Sequence, residues 1–83
     1  MTLDCDGLDP AIMPAVLAPA PGGLSYWHVV ELLHGLAAKG PIAGFDIVEF
    51  VPHLDPTGHA ALTAARIVCN AIAAIADSAP RPS

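Results

Sequence analysis

The sequence predicts an α/β fold with two parallel strands and two helices, in the order strand, long loop, helix, strand, helix. Three observations carry this expectation. Residues 26–37 and 57–76 place apolar side chains at helical spacing. Between them, Ile42–Phe50 (IAGFDIVEF) is an almost continuous run of apolar, β-branched and aromatic residues, as in a strand buried on both faces of a sheet. A helix that joins two strands implies a parallel pair with a right-handed crossover. Two strands cannot make a parallel sheet covered on both faces. The chain therefore reads as the C-terminal βαβα portion of a larger doubly wound fold.

Thr2 to Asp4 reads as the end of the first strand. Cys5 to Leu24 follows, with Pro10, Pro14, Pro19 and Pro21 and the pair Gly22-Gly23. Proline fixes φ and lacks an amide donor, which excludes a helix or a central strand here. Irregular connections of this length inside a compact domain are usually functional. Ser25 is a good N-cap for the first helix, whose apolar residues are Tyr26, Val29, Val30, Leu33, Leu36 and Ala37. Lys39-Gly40-Pro41 ends it with a cation, a glycine at the cap and a proline beyond. Pro52 and Pro56 bracket a turn. The second helix is expected from Thr57 or Gly58 to Ala76. Its predicted inner stripe is Leu62, Ala65, Cys69, Ile72 and Ala76, widened by Ile67, Val68 and Ile75.

The 83 residues suffice for one small domain, residues 1–77, followed by a proline-rich tail, 78–83, expected to be disordered. Hydrophobic residues make up 54% of the chain. So short a chain buries little surface unaided. Its apolar faces are expected to meet a missing N-terminal portion of the fold or another copy in a homo-oligomer. A net charge of −5, with only Lys39, Arg66 and Arg81 basic, excludes a nucleic-acid partner. No signal sequence opens the chain. The last helix, interrupted by Arg66, Cys69, Asn70 and Asp77, is read as too short and alanine-rich for a membrane partner. Cys5 and Cys69 form no metal-ligand pattern and suit a reduced, cytoplasmic protein.

The chemistry centres on DCDGLDP, Asp4 to Pro10. Ligand groups gather at the C-terminal ends of parallel strands. Asp4 ends the first strand, Asp6 and Asp9 follow it, and Glu49 stands near the end of the second. Acids sharing one rim raise each other's pKa unless a cation neutralises them. An Asp-x-Asp at a strand end can bind divalent metal, one carboxylate bridging two ions and the other holding one. Oxygen ligands with imidazole favour Mn²⁺ or Mg²⁺ over Zn²⁺. The alternative is a solvated acidic turn whose carboxylates cap backbone amides, with Asp9-Pro10 opening the next bend. A calcium loop of the EF-hand type is excluded, because counting from Asp4 the required Gly and Glu positions hold Asp9 and Ala15.

Taken in order, DCDGLDP, PGGLSY (Pro21–Tyr26), GFDIVEF followed by Val51-Pro52, and the Asp55–Ile67 segment beginning DPTG resemble the C-terminal part of the ureohydrolase family, the arginases and agmatinases. Bacterial agmatinase-like members are the most similar. The resemblance implies a three-layer α/β/α sandwich that hydrolyses a guanidino group to urea and an amine at a binuclear Mn²⁺ site. It implies metal ligation by Asp4 and Asp6, with Asp4 bridging. It also implies that Glu49 holds the substrate guanidinium, which a carboxylate can grip through a two-pronged hydrogen bond. The family's remaining ligands come from G-G-D-H and D-A-H-x-D segments, and proton transfer from a further histidine. Neither segment is present in this sequence, so no residue is assigned a catalytic role. The alternative reading is an inert, self-associating or partner-binding α/β unit. Where agmatinases commonly carry P-G-T-G-T-P, this chain has Pro14-Ala15-Val16-Leu17-Ala18-Pro19.

The other polar residues read as structural. His28 and His34 are expected at the surface, Asp46 as a buried hydrogen-bonded acid, Trp27 as packing and Cys5 as core, its side chain turned away from Asp4 and Asp6 by strand alternation. His53 and His59 flank the turn, with His53 nearer the acidic rim.

Overall fold

A computed structural model of the chain describes residues 1–79. Strand β1 (Thr2–Asp4) pairs in parallel with β2 (Asp46–Val48), setting Thr2 opposite Asp46, Leu3 opposite Ile47 and Asp4 opposite Val48. Helices α1 (Tyr26–Lys39) and α2 (His59–Ser78) follow one strand each and pack against one another. Single 3₁₀ turns occupy Cys5–Gly7 and Pro52–Leu54. The element order and the parallel pairing are those the sequence predicts.

β2 is much shorter than the apolar run. A strand needs a ladder partner, and β1 offers three residues. Before β2 the chain is held by single bonds instead. The Met1 ammonium donates to Gly44 O at 2.9 Å, and Ile42 N–H donates to Ser78 Oγ at 2.9 Å. Nor is β2 buried on both faces: Asp46 is exposed, while Ile47 and Val48 are half-buried. Asp46 is thus not the buried acid the sequence suggested. It stands opposite the exposed Thr2, on the sheet face turned away from Leu3 and the core.

α1 begins as expected. Ser25 Oγ accepts the His28 N–H at 3.2 Å, and His28 Nδ1 accepts the Ser25 N–H at 3.1 Å, a reciprocal cap. Val29 and Leu33 point into the core. Gly40 ends the helix in extended backbone, its N–H donating to Leu36 O at 3.2 Å, with no left-handed turn. His34 is not a surface residue: it is half-buried, and its Nε2 lies 3.0 Å from Asn70 Oδ1 on α2. Trp27 contributes little packing, being 68% exposed, and meets only Tyr26 edge-on.

α2 buries Ala60, Ala64, Ile67, Ala71 and Ala74. The predicted inner stripe is wrong: Leu62, Ala65, Cys69, Ile72 and Ala76 all face outward. Periodicity could not choose, because α2 is apolar on nearly every side. The contact with α1 selects the alanine-rich side, where short side chains let two helix axes approach closely. α2 also has the length and composition of a membrane span, contrary to the sequence reading, with a mean hydropathy of 1.5. Its last residue, Ser78, falls within the stretch expected as tail. Residues 80–83 of that stretch lie outside the described residues.

The loop between β1 and α1 is part of the core. Leu8, Met13, Ala15 and Val16 are buried with Leu3, Val29, Leu33 and the inner face of α2. The loop closes on itself through a parallel bridge, Asp9 N–H to Leu24 O and Leu24 N–H to Gly7 O, both 2.9 Å. Gly23 is required there: a Cβ would sit 2.7 Å from Gly7 O and 2.8 Å from the Leu8 carbonyl carbon. Val51 N–H donates to Ala15 O at 2.8 Å, tying the loop to the chain just past β2.

Candidate metal and substrate site

The parallel register brings the candidate acids to one rim. Asp4 ends β1 opposite Val48, and Glu49 is the next residue beyond β2. Asp6 follows in the 3₁₀ turn Cys5–Gly7, which Asp4 opens: its Oδ1 accepts the Asp6 N–H at 2.9 Å. Asp4 is exposed, so its second oxygen meets solvent.

Asp6 is different. Its Oδ1 is buried and has no hydrogen-bond partner among the described residues. A buried carboxylate oxygen left unpaired is costly, because it has lost water and gained nothing. This atom fits a metal ligand. Among the described residues, no cluster of three or more histidine, cysteine, aspartate or glutamate side chains is placed to hold a metal ion. The acids here are part of a ligand set.

Glu49 has φ +60°, the only non-glycine residue with positive φ among those described. For a side chain without local hydrogen bonding this conformation is sterically unfavourable. Such strain collects where a side chain is aimed for function. Glu49 is exposed and available to a ligand.

Asp9 behaves as the alternative reading proposed. Its Oδ1 accepts Ala11 N–H at 2.9 Å and its Oδ2 accepts Gly22 N–H at 3.0 Å, so it pins both ends of the loop. Cys5 is fully buried as expected. Burial first, then the charges of Asp4 and Asp6, push its thiol up from 9.0 to about 11. A thiol so protonated is a poor nucleophile.

Sequence reasoning passed over Asp55. It is buried, accepting Thr57 Oγ1–H at 2.6 Å and Thr57 N–H at 3.1 Å through Oδ1, and Ala60 N–H at 2.7 Å through Oδ2. Bonds from Thr57 and Ala60 hold its carboxyl below the usual aspartate value. It shapes the turn after the rim and caps α2, whose first cap position is the left-handed Gly58. The signal was present in Asp55-Pro56-Thr57-Gly58, a carboxylate two residues before a hydroxyl at a helix start. His53 lies in the 3₁₀ turn Pro52–Leu54, and His59 opens α2. Two surface depressions lie away from the acidic rim. One is lined by Met1, Thr2, Gly44, Phe45 and Asp46, the other by Leu24, His28, Glu31 and Leu32.

The sequence profile described as the arginase family matches residues 1–74. The chain belongs to the arginase family. It is 47% identical over 74 residues to an N(1)-aminopropylagmatine ureohydrolase of Thermus thermophilus, covering 87% of this chain and 24% of that protein. It is 50% identical over 68 residues to a formimidoylglutamase of Chromobacterium violaceum, covering 81% and 22%. The solved agmatine ureohydrolase of Thermoplasma volcanium superimposes with a TM-score of 0.79 at 41% identity, over 92% of this chain and 25% of that one. The chain thus spans about a quarter of the length of the arginase-family relatives it matches. The three-residue parallel ladder and its helices are a piece of the α/β fold those proteins share.

Proposed function

We propose that this chain carries the carboxylate side of an agmatinase-type amidinohydrolase site, which cleaves a guanidino group to urea and an amine. The observation that supports it most is the buried, unpartnered Asp6 Oδ1, on the rim it shares with Asp4 and Glu49. Asp4 and Asp6 would hold the metal, and hard oxygen donors suit Mn²⁺. When bound, a divalent pair supplies Lewis-acid activation of water for attack on the guanidino carbon. Glu49 accepts two hydrogen bonds from the planar guanidinium and orients it. Asp9 keeps the loop closed, and the Ala15–Val51 bond joins that loop to the segment that carries Glu49. Free Cys5 and Cys69 accord with a cytoplasmic setting.

The substrate is a guanidino or related amidino small molecule. Relatives named for aminopropylagmatine and for formimidoylglutamate match this same region at similar identity. The shared residues therefore serve the common chemistry more than the choice of substrate. Two carboxylates do not complete a two-metal site, so the 83 residues on their own are a weak metal binder with negligible turnover.

Mn²⁺ binding followed by electron paramagnetic resonance tests the reading. Weak binding that disappears in Asp6→Ala is expected, and binding unchanged by that substitution refutes the assignment. Urea release from agmatine or 4-guanidinobutyrate with added Mn²⁺ is expected to be undetectable. Turnover on the order of 1 s⁻¹, lost in Asp6→Ala, would show that the chain holds a complete site by itself.

A further inference from the structure

α2 has two apolar sides, and only one is used. The inner side packs on α1 and the loop. The outer side carries Leu62, Ala65, Cys69, Ile72 and Ala76, all exposed, with Leu62 and Ile72 at 59% and 63%. At about 1.5 Å per residue, the span from Leu62 to Ala76 is about 21 Å long. It contains no charged residue. The outer face of a helix that covers a sheet ordinarily meets water and is polar.

We propose that the outer face of α2 is a self-docking surface, on which a second copy of this chain lays its own α2 antiparallel about a two-fold axis at Cys69. The pattern is self-complementary in that register. Leu62 meets Ala76 of the second copy, Ala65 meets Ala73, and Ile72 fills the space over Ala65, so each large side chain opposes a small one. The charges at the edge fit as well. His59 and Asp77 lie on the same flank of α2, and in an antiparallel pair like flanks meet. His59 of each copy then comes within one helical turn of Asp77 of the other, at both ends of the contact. A parallel arrangement would set Asp77 beside Asp77. The inference is independent of the hydrolase chemistry. A single helix pair is at the small end of protein interfaces, so the dimer is a weak one, dissociating at about micromolar concentration.

Sedimentation equilibrium of the full chain under reducing conditions tests this. A monomer–dimer equilibrium is expected for the wild type. Ile72→Glu and Leu62→Glu should each weaken it by more than about tenfold, with unchanged helical circular dichroism because both positions are exposed. Diamide removes two electrons and two protons from paired thiols, and should give a Cys69–Cys69 disulfide dimer rapidly in the wild type and slowly in Ile72→Glu. A wild-type monomer at 10 μM and above (on the order of ten times the expected midpoint) overturns the proposal. So does association unaffected by Ile72→Glu, which would place the contact on the sheet edges or on α1. Co-flotation with phosphatidylcholine–phosphatidylglycerol vesicles also overturns it, in favour of a lipid surface.

Discussion

His34 Nε2 and Asn70 Oδ1 lie 3.0 Å apart and join α1 to α2. The Asn70 amide is fully engaged, since its Nδ2 donates to Tyr26 Oη at 3.1 Å and to Arg66 O at 3.0 Å. Those two donor bonds fix which way the amide points, leaving Oδ1 toward the histidine. This half-buried cluster is the polar seam of an otherwise apolar helix pair.

Asn70→Ala is expected to destabilise the chain by about 1–3 kcal/mol, because it strips partners from both His34 and Tyr26. Tyr26→Phe should cost less, about 0.5–1.5 kcal/mol. In a double-mutant cycle the two losses should not add, since they share one bond. Urea unfolding measures each value, and full additivity would show that the Tyr26–Asn70 bond contributes nothing.

Glu49→Gly should raise stability by roughly 0.5–1 kcal/mol, because glycine adopts φ +60° without a Cβ clash. Glu49→Ala retains the Cβ and should give no such gain. The same Glu49→Gly change removes the proposed guanidinium partner. A lower midpoint for Glu49→Gly than for Glu49→Ala would show that the left-handed backbone is not strained.

In a Cys69→Ser background, Cys5 should resist alkylation at pH 8 until the chain unfolds, being fully buried with its thiol raised to about 11. The linkage sign follows. A native pKa above the unfolded value of 9.0 means the protonated thiol's contribution is complete below pH 9 and is lost as pH rises from 9.0 through about 11. Thermal melts across that range should fall less steeply in Cys5→Ala. Rapid native-state modification at pH 8 would contradict the burial.

Asp55 works in the opposite direction. Its carboxyl is held below 3.8, so its contribution is present above that value and is lost as pH falls through the lower native value. Asp55→Ala should lower the melting temperature at pH 7 and remove this part of the acid sensitivity. An unchanged melting temperature would mean that the Thr57 and Ala60 bonds do not support the turn.

What the sequence determined by itself was local. Prolines excluded regular structure from Cys5 to Leu24, Ser25 started α1, and Gly40-Pro41 stopped it. Each is a steric or hydrogen-bonding property of a few neighbouring residues. The acids at Asp4, Asp6 and Glu49 were legible because a parallel βαβ unit brings successive strand ends to one rim. Tertiary structure decided the rest. β2 is three residues long because its partner strand is. Val16 and Met13 became core because the loop folds back under α1 and α2. The unpaired Asp6 Oδ1 and the positive φ of Glu49 depend on how the two strand ends are held together. α2 buries alanines and exposes Leu62 and Ile72. On a helix apolar all round, period alone cannot choose a side, and only the shape of the neighbour can.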